Sequence, residues 1–162
     1  MIKQLLICVA GCAGIVLGAK LRIPVEPVPF TLQTFFVLLL CFRYKPFVAT
    51  TSSILYILCG LFLPVFSGDT YGAAVLCGPT AGYVFAFPVA AWACSYVYHQ
   101  RTTPTYAIRI VYAMCAHLFI LVCGSIVLAI KTDMHLADVA MKGLVLLLPG
   151  AVIKSAAVAI NK

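Results

Sequence analysis

The chain has 162 residues, of which 64% are hydrophobic and 9% charged, and a formal net charge of +7. A water-soluble domain of this size has no means of covering so much apolar surface, so the solvent for most of it is lipid. The eleven Lys and Arg residues are scattered at the ends of apolar runs, which argues against a nucleic-acid partner and suits anchoring at a membrane interface.

Uncharged runs at residues 4–19, 46–68, 70–98 and 110–130 each approach or exceed the roughly 20 residues that a spanning helix needs. In chain order, helices are expected over residues 3–19, 30–42, 47–65, 79–98 and 106–130, followed by a last region, 136–162, that Pro149 divides into 136–148 and 149–162. The expectation is an all-α polytopic membrane protein of about six spans, with residues 1–162 forming one integral membrane domain. At the first span, Lys3, a short apolar run and Val9-Ala10-Gly11-Cys12 have the outline of a lipoprotein signal. The apolar core of about seven residues is at the lower limit for such a signal, and the segment is read as a span. Within it Ala10, Gly14 and Gly18 recur every fourth residue, forming a small-residue stripe of the kind that lets another helix approach closely, from this chain or from a partner protein.

The stretch IPVEPVPFTLQT, residues 23–34, separates the first two spans. Pro24, Pro27 and Pro29 lack backbone donors and prevent a continuous helix. The span that follows, 30–42, has 13 residues and reaches roughly 20 Å, against a roughly 30 Å hydrocarbon core. Irregular backbone at membrane depth survives where it is buried in protein or faces a watery cavity. Gln33 and Thr34 are placed just beneath it.

Between the third and fourth spans, LPVFSGDTYGAAVLCGPTAGY combines flexible glycines with Phe66, Tyr71 and Leu76. A loop this apolar folds back onto protein, either as a lid over a ligand or as a packed hairpin. In the last region Pro149 suits the first turn of a helix, and Lys154 lies about five residues further on. A lysine in the hydrocarbon region costs around 2.5–3.5 kcal/mol, so it is expected to face a cavity or a polar partner, the alternative being that it snorkels to the nearby interface. Interrupted segments of this kind are where transporters place substrate sites.

With six spans and both termini on one side, that side carries Lys3, Arg43, Lys45, Arg101, Arg109 and Lys162, while the other carries Lys20, Arg22, Lys131 and Lys142. Six against four favours cytoplasmic termini. Seven of the eight cysteines lie in apolar runs and none forms a CxxC pair, so they read as small hydrophobes, with no metal or disulfide signal. His99, His117 and His135 share no ligand spacing, the four acids form no close pair, and there is no phosphate-binding glycine loop. Neither a catalytic constellation nor an ATP-hydrolysing engine is visible, and no cofactor is expected.

RIPVEPVPFTLQTFFVLL, then LPVFSG and GPTAGY, and finally LPGAVIK together resemble the BioY family, the biotin-specific S-components of energy-coupling-factor (ECF) vitamin transporters. The resemblance implies a six-helix fold in the cell inner membrane that takes up biotin, alone or with a transmembrane coupling protein and two cytoplasmic ATPases. On that reading Gln33, Phe66, Asp69, Tyr71, Thr80, Tyr83 and Lys154 are candidate substrate contacts, and Ala10, Gly14 and Gly18 the candidate partner surface. Two positions depart from the family pattern. Ala151 stands where the last helix carries Asp in Pro-Gly-Asp-x-x-Lys, and Ala81 stands where glycine is usual. With Ala151, the ureido N–H groups need another acceptor, for which Asp69, Thr80 or a backbone carbonyl are candidates. Another small carboxylated vitamin as ligand, or a ligand-free membrane interaction protein, are the competing readings.

Overall fold

The computed structural model describes residues 2–160; Lys162, counted above in the charge balance, lies outside the described residues. Helix α1 (Ile2–Lys20) leads through two short strands, β1 (Arg22–Ile23) and β2 (Phe30–Thr31), into α2 (Gln33–Arg43) and α3 (Pro46–Gly60). A single turn of helix, α4 (Ala73–Leu76), precedes α5 (Ala81–His99) and α6 (Tyr106–Lys131). The chain ends in α7 (Leu136–Gly143), a 3-10 turn (Val145–Leu147) and α8 (Leu148–Ile160). By length and composition α1, α5, α6 and the combined run Leu136–Ile160 suffice to cross a membrane, and α2 and α3 are shorter apolar helices. The protein is therefore a polytopic membrane protein with six apolar helical segments, two of them short.

The prolines account for the departures from the expected boundaries. The residue before a proline is disfavoured in helix, and the segment folds into an antiparallel hairpin, Arg22 opposite Thr31 and Ile23 opposite Phe30. Helix α2 consequently starts at Gln33 rather than at residue 30. The Leu32 N–H is bonded to the Gly18 and Leu21 carbonyls, at 3.0 and 3.2 Å, which seats the hairpin on the end of α1. Helix α3 stops at Gly60 because the Pro64 ring would collide with the carbonyl four residues back; that Gly60 carbonyl accepts from Gly72 N at 2.7 Å instead. Pro149, in contrast, sits in the first turn of α8, where an N–H has no helical partner to lose.

Helix α1 packs against α2 and α3, α5 against α2, α3 and α6, and α8 against α6 and α2. Small residues set the closest approaches: a Cβ on Gly82 of α5 would lie 2.6 Å from the Cys123 carbonyl oxygen of α6. The core centres on fully buried Ile15, Leu38, Tyr56, Phe66, Ile120 and Leu128. Leu5, Leu6, Trp92, Ile126 and Ile153 remain more than half exposed, as expected where lipid rather than water covers the outer faces.

Candidate ligand-binding cavity

A cavity of about 580 Å³ opens at the end of the bundle where the β-hairpin, the 61–80 loop and the start of α8 meet. That volume is within the range of small-molecule sites. Its rim is the irregular backbone from Pro24 to Pro29, together with Ser67, Thr70 and Pro79. Its walls are apolar and aromatic, with Phe30, Tyr56, Phe66, Tyr83, Phe87 and Ile120 among them. Non-helical backbone thus lines a cavity, the condition under which it is tolerated inside a membrane-spanning bundle.

Lys154, nearly two turns into α8, is partly buried and reaches across to the hairpin. Its Nζ donates to the Thr34 Oγ1 at 2.7 Å and to the Thr31 carbonyl at 3.1 Å, and stands 5.6 Å from the centre of the Phe30 ring. An ammonium has three N–H donors, so one remains for a ligand. Gln33 is 7% exposed and committed at both ends: its Oε1 accepts from Thr31 Oγ1 at 2.9 Å and its Nε2 donates to Tyr56 OH at 2.6 Å. The Tyr83 ring faces the cavity while its hydroxyl donates to the Gly143 carbonyl at 2.8 Å. Phe66 fills the space above Gly60 and meets Tyr56 edge-on, ring centres 5.4 Å apart.

Five of the seven expected substrate contacts, Gln33, Phe66, Thr80, Tyr83 and Lys154, come together around this cavity; Asp69 and Tyr71 do not line it. The Tyr71 side chain is 60% exposed. Asp69 Oδ1 is held 2.6 Å from Lys20 Nζ, with 83% of its side chain exposed. Lys20 also donates to the Pro64 carbonyl at 2.5 Å, so the pair clamps the 61–70 loop to the end of α1. The hydrogen bond and charge of Lys20, with Arg22 nearby, hold the Asp69 carboxyl below its ordinary pKa. Asp69 is thereby removed as an acceptor for a ligand in the cavity. The clamp also makes the loop a pinned cover. The turn at Gly68 (φ +81°) and Asp69 (φ +56°) needs left-handed backbone, and a Cβ at Gly68 would come within 2.8 Å of Arg22 Nη1.

The small-residue stripe is largely used inside the chain. A Cβ on Gly18 would lie 2.8 Å from Gln33 N and the Leu32 carbonyl group, and one on Gly14 would lie 3.1 Å from the Phe36 ring. Both glycines thus serve the packing of α1 on α2, which leaves Ala10 as the stripe member exposed on the outer face.

Among the lining residues that the sequence reading did not name as contacts are Thr31, Tyr56 and His117. The sequence offers His117 no ligand spacing with His99 or His135, and Ser125 lies two turns along the same helix. In the structure the His117 Nδ1 lies 2.8 Å from Ser155 Oγ of α8, and Ser125 faces the Tyr83 hydroxyl instead, at 3.5 Å. The one signal in the sequence is a lone imidazole in an uncharged apolar run.

Residues 1–161 match the BioY family. The chain belongs to that family. It is 39% identical over 127 residues to the biotin transporter BioY2 of Lactococcus lactis subsp. cremoris, a match covering 76% of this chain and 68% of that protein. It is 44% identical over 91 residues to the biotin transporter BioY of Thermotoga maritima, covering 56% of this chain and 54% of that protein. The matched segments thus span between about half and two thirds of these relatives. Its fold is similar to the crystal structure of the S-component for biotin from an ECF-type ABC transporter, with a TM-score of 0.88 at 24% identity, covering 98% of this chain and 88% of that one. The α2–α8 junction at Lys154, the pinned loop and the proline-rich rim are therefore features of a BioY member with an S-component fold.

Proposed function

We propose that this chain is a biotin-uptake protein of the membrane, a transporter subunit and not an enzyme, that captures biotin in the cavity beside Lys154. The observation that carries the reading is the composition of that cavity. Its apolar and aromatic walls suit the thioether ring and valeryl chain, and a partly buried ammonium with one unspent N–H suits a carbonyl or carboxylate oxygen. Gln33, Phe66, Thr80, Tyr83 and Lys154 form the binding site in this reading, and residues 1–162 act as one integral membrane domain.

The S-component fold supports work within an ECF-type transporter. There a transmembrane coupling protein and two cytoplasmic ATPases supply the energy, and the outer face of α1 at Ala10 meets the coupling protein. The protein sits in the cell inner membrane with both termini cytoplasmic and the cavity mouth outward. This puts the cavity rim, with Lys20 and Arg22, on the side away from the ATPases.

Biotin added to the purified protein in detergent or nanodiscs tests the reading. Saturable binding with an upward thermal shift is the expected result, and no shift at saturating biotin overturns it. Ala151, which places a methyl group in the cavity wall, favours including other small carboxylated vitamins in the same titration. A thermal shift with one of those and none with biotin would reassign the ligand.

A further inference from the structure

The mouth of the cavity carries a cation that the fold leaves unpaired. Arg22, on β1, lines the cavity and is exposed. Among the described residues its guanidinium has neither a hydrogen bond nor a salt bridge. A guanidinium stays charged and offers five N–H donors in a planar fork, and all five are left for water or a ligand.

Two elements set its place. The hairpin register puts Arg22 opposite Thr31, the residue whose carbonyl accepts from Lys154. The 61–80 loop meets the guanidinium at Gly68, where a Cβ would lie 2.8 Å from Nη1, 3.3 Å from Cζ and 3.5 Å from Nη2. The group thus rests against a bare glycine, and any side chain at position 68 would displace it. Asp69, the next residue, would neutralise the charge, but its Oδ1 is held by Lys20 at 2.6 Å. Glu26, the one acid in the cavity lining among the described residues, is exposed and forms no salt bridge.

The lining therefore carries two cations, Arg22 and Lys154, against one acid. The two cations are not equivalent. Lys154 has spent two of its donors on Thr34 Oγ1 and the Thr31 carbonyl, whereas Arg22 has spent none. A carboxylate is a costly guest for an aromatic interior, because it must give up its water there. At the rim it keeps part of its hydration and meets a fork whose parallel N–H groups match its two oxygens.

We propose that Arg22 is the subsite for the carboxylate of the ligand, clamping it at the cavity mouth while the uncharged remainder fills the aromatic interior. The inference rests on the biotin reading and adds a requirement of charge to it: small monocarboxylates are admitted, and neutral amides of the same body are discriminated against. The Lys20–Asp69 clamp contributes by occupying the acid next to Gly68, which leaves the guanidinium to the ligand.

The test compares biotin with biotinamide, in which a neutral carboxamide replaces the carboxylate, by titration of the full chain in nanodiscs. The unsubstituted protein is expected to bind biotin about 5- to 30-fold more tightly than biotinamide, between the effect of an exposed ion pair and that of a buried charged hydrogen bond. Arg22→Gln, at an exposed position, is expected to weaken biotin by the same factor and to leave biotinamide within about twofold. Arg22→Lys keeps the charge without the fork and recovers part of the loss. Equal losses for both ligands, or unchanged biotin affinity, overturn the proposal. So does a preference for biotin that survives in Arg22→Gln, which would return the carboxylate to Lys154. A second measurement needs no variant to fold: added salt should weaken biotin on the unsubstituted protein more than biotinamide. Saturable biotin binding with no preference over biotinamide overturns this inference alone, and absence of biotin binding overturns the function reading with it.

Discussion

Replacing Lys154 with Met keeps most of the side-chain volume and removes only the ammonium. In the protein without ligand this deletes the bonds to Thr34 Oγ1 at 2.7 Å and the Thr31 carbonyl at 3.1 Å, the links that tie the start of α8 to the hairpin. Hydrogen bonds to charged groups contribute about 1.5–3 kcal/mol each, but the substitution also abolishes the cost of keeping an ammonium in an apolar surround, about 2.5–3.5 kcal/mol. The two bonds together outweigh or match that relief, so the thermal midpoint should stay level or fall modestly, by the equivalent of about 0–3 kcal/mol. Ligand affinity has no such compensation. The third N–H of Lys154 is a donor the protein does not use, and a charged bond from it to the ligand, once lost, weakens binding by the same 1.5–3 kcal/mol, or about 10- to 150-fold in Kd at 25 °C. Isothermal titration of the folded variant with biotin measures it. A folded Lys154→Met protein that binds biotin with unchanged affinity would refute the placement of Lys154 in the site.

Further substitutions probe what holds the cavity in shape. Gly150→Ala would put a methyl group into the Phe30 ring, and overpacking of this kind costs about 1–3 kcal/mol; a lower thermal midpoint together with weaker biotin binding is expected, because Phe30 is also a wall. Gly18→Ala, with its Cβ 2.8 Å from the Leu32 carbonyl group, should destabilise the isolated protein by a similar amount, measured by thermal unfolding without any partner; an unaffected midpoint would show that α1 and α2 do not need that approach. The Lys20–Asp69 clamp has a pH signature. Because the Asp69 pKa is depressed in the folded state, its contribution is fully present above the ordinary value of 3.8 and is lost as pH falls through the lower folded value. The difference in thermal midpoint between the unsubstituted protein and Asp69→Asn should therefore be flat at neutral pH, shrink only in strong acid, and fall with added salt. A difference that grew on acidification would contradict the sign.

The fold was legible because its causes are local. Apolar runs bounded by single basic residues require helices in lipid, and the prolines at 24, 27 and 29 forbid one between the first two spans. What the periodicity did not give was the hairpin, since Arg22–Ile23 and Phe30–Thr31 become strands only once α1 supplies carbonyls for Leu32. The end of α3 illustrates the opposite case. Pro64 and Gly60 are four apart in the sequence, and the collision that stops the helix at Gly60 follows from that spacing alone, yet the apolar content of residues 61–65 masked it.

The site was legible in proportion to how unusual each residue is in lipid. Lys154 is conspicuous at any membrane depth, and the aromatics of the 61–83 region could be placed near it through the family motif. Asp69 entered through the resemblance, as a substitute acceptor for the Asp that Ala151 replaces, but its sequence neighbourhood says nothing of Lys20, 49 residues earlier, which claims it. The small-residue stripe was ambiguous between two helix partners, and only the position of α2 resolves Gly14 and Gly18 inward. His117 was the least legible, because its meaning depends on two contacts remote in sequence: Ser155 on α8, 38 residues later, which occupies one nitrogen, and the cavity, in which no protein group occupies the other. A histidine in an apolar helix is ordinary when both nitrogens are satisfied. Here one nitrogen is bonded to Ser155 and the other has no hydrogen-bond partner among the described residues, a distinction that no sequence neighbour of His117 reveals.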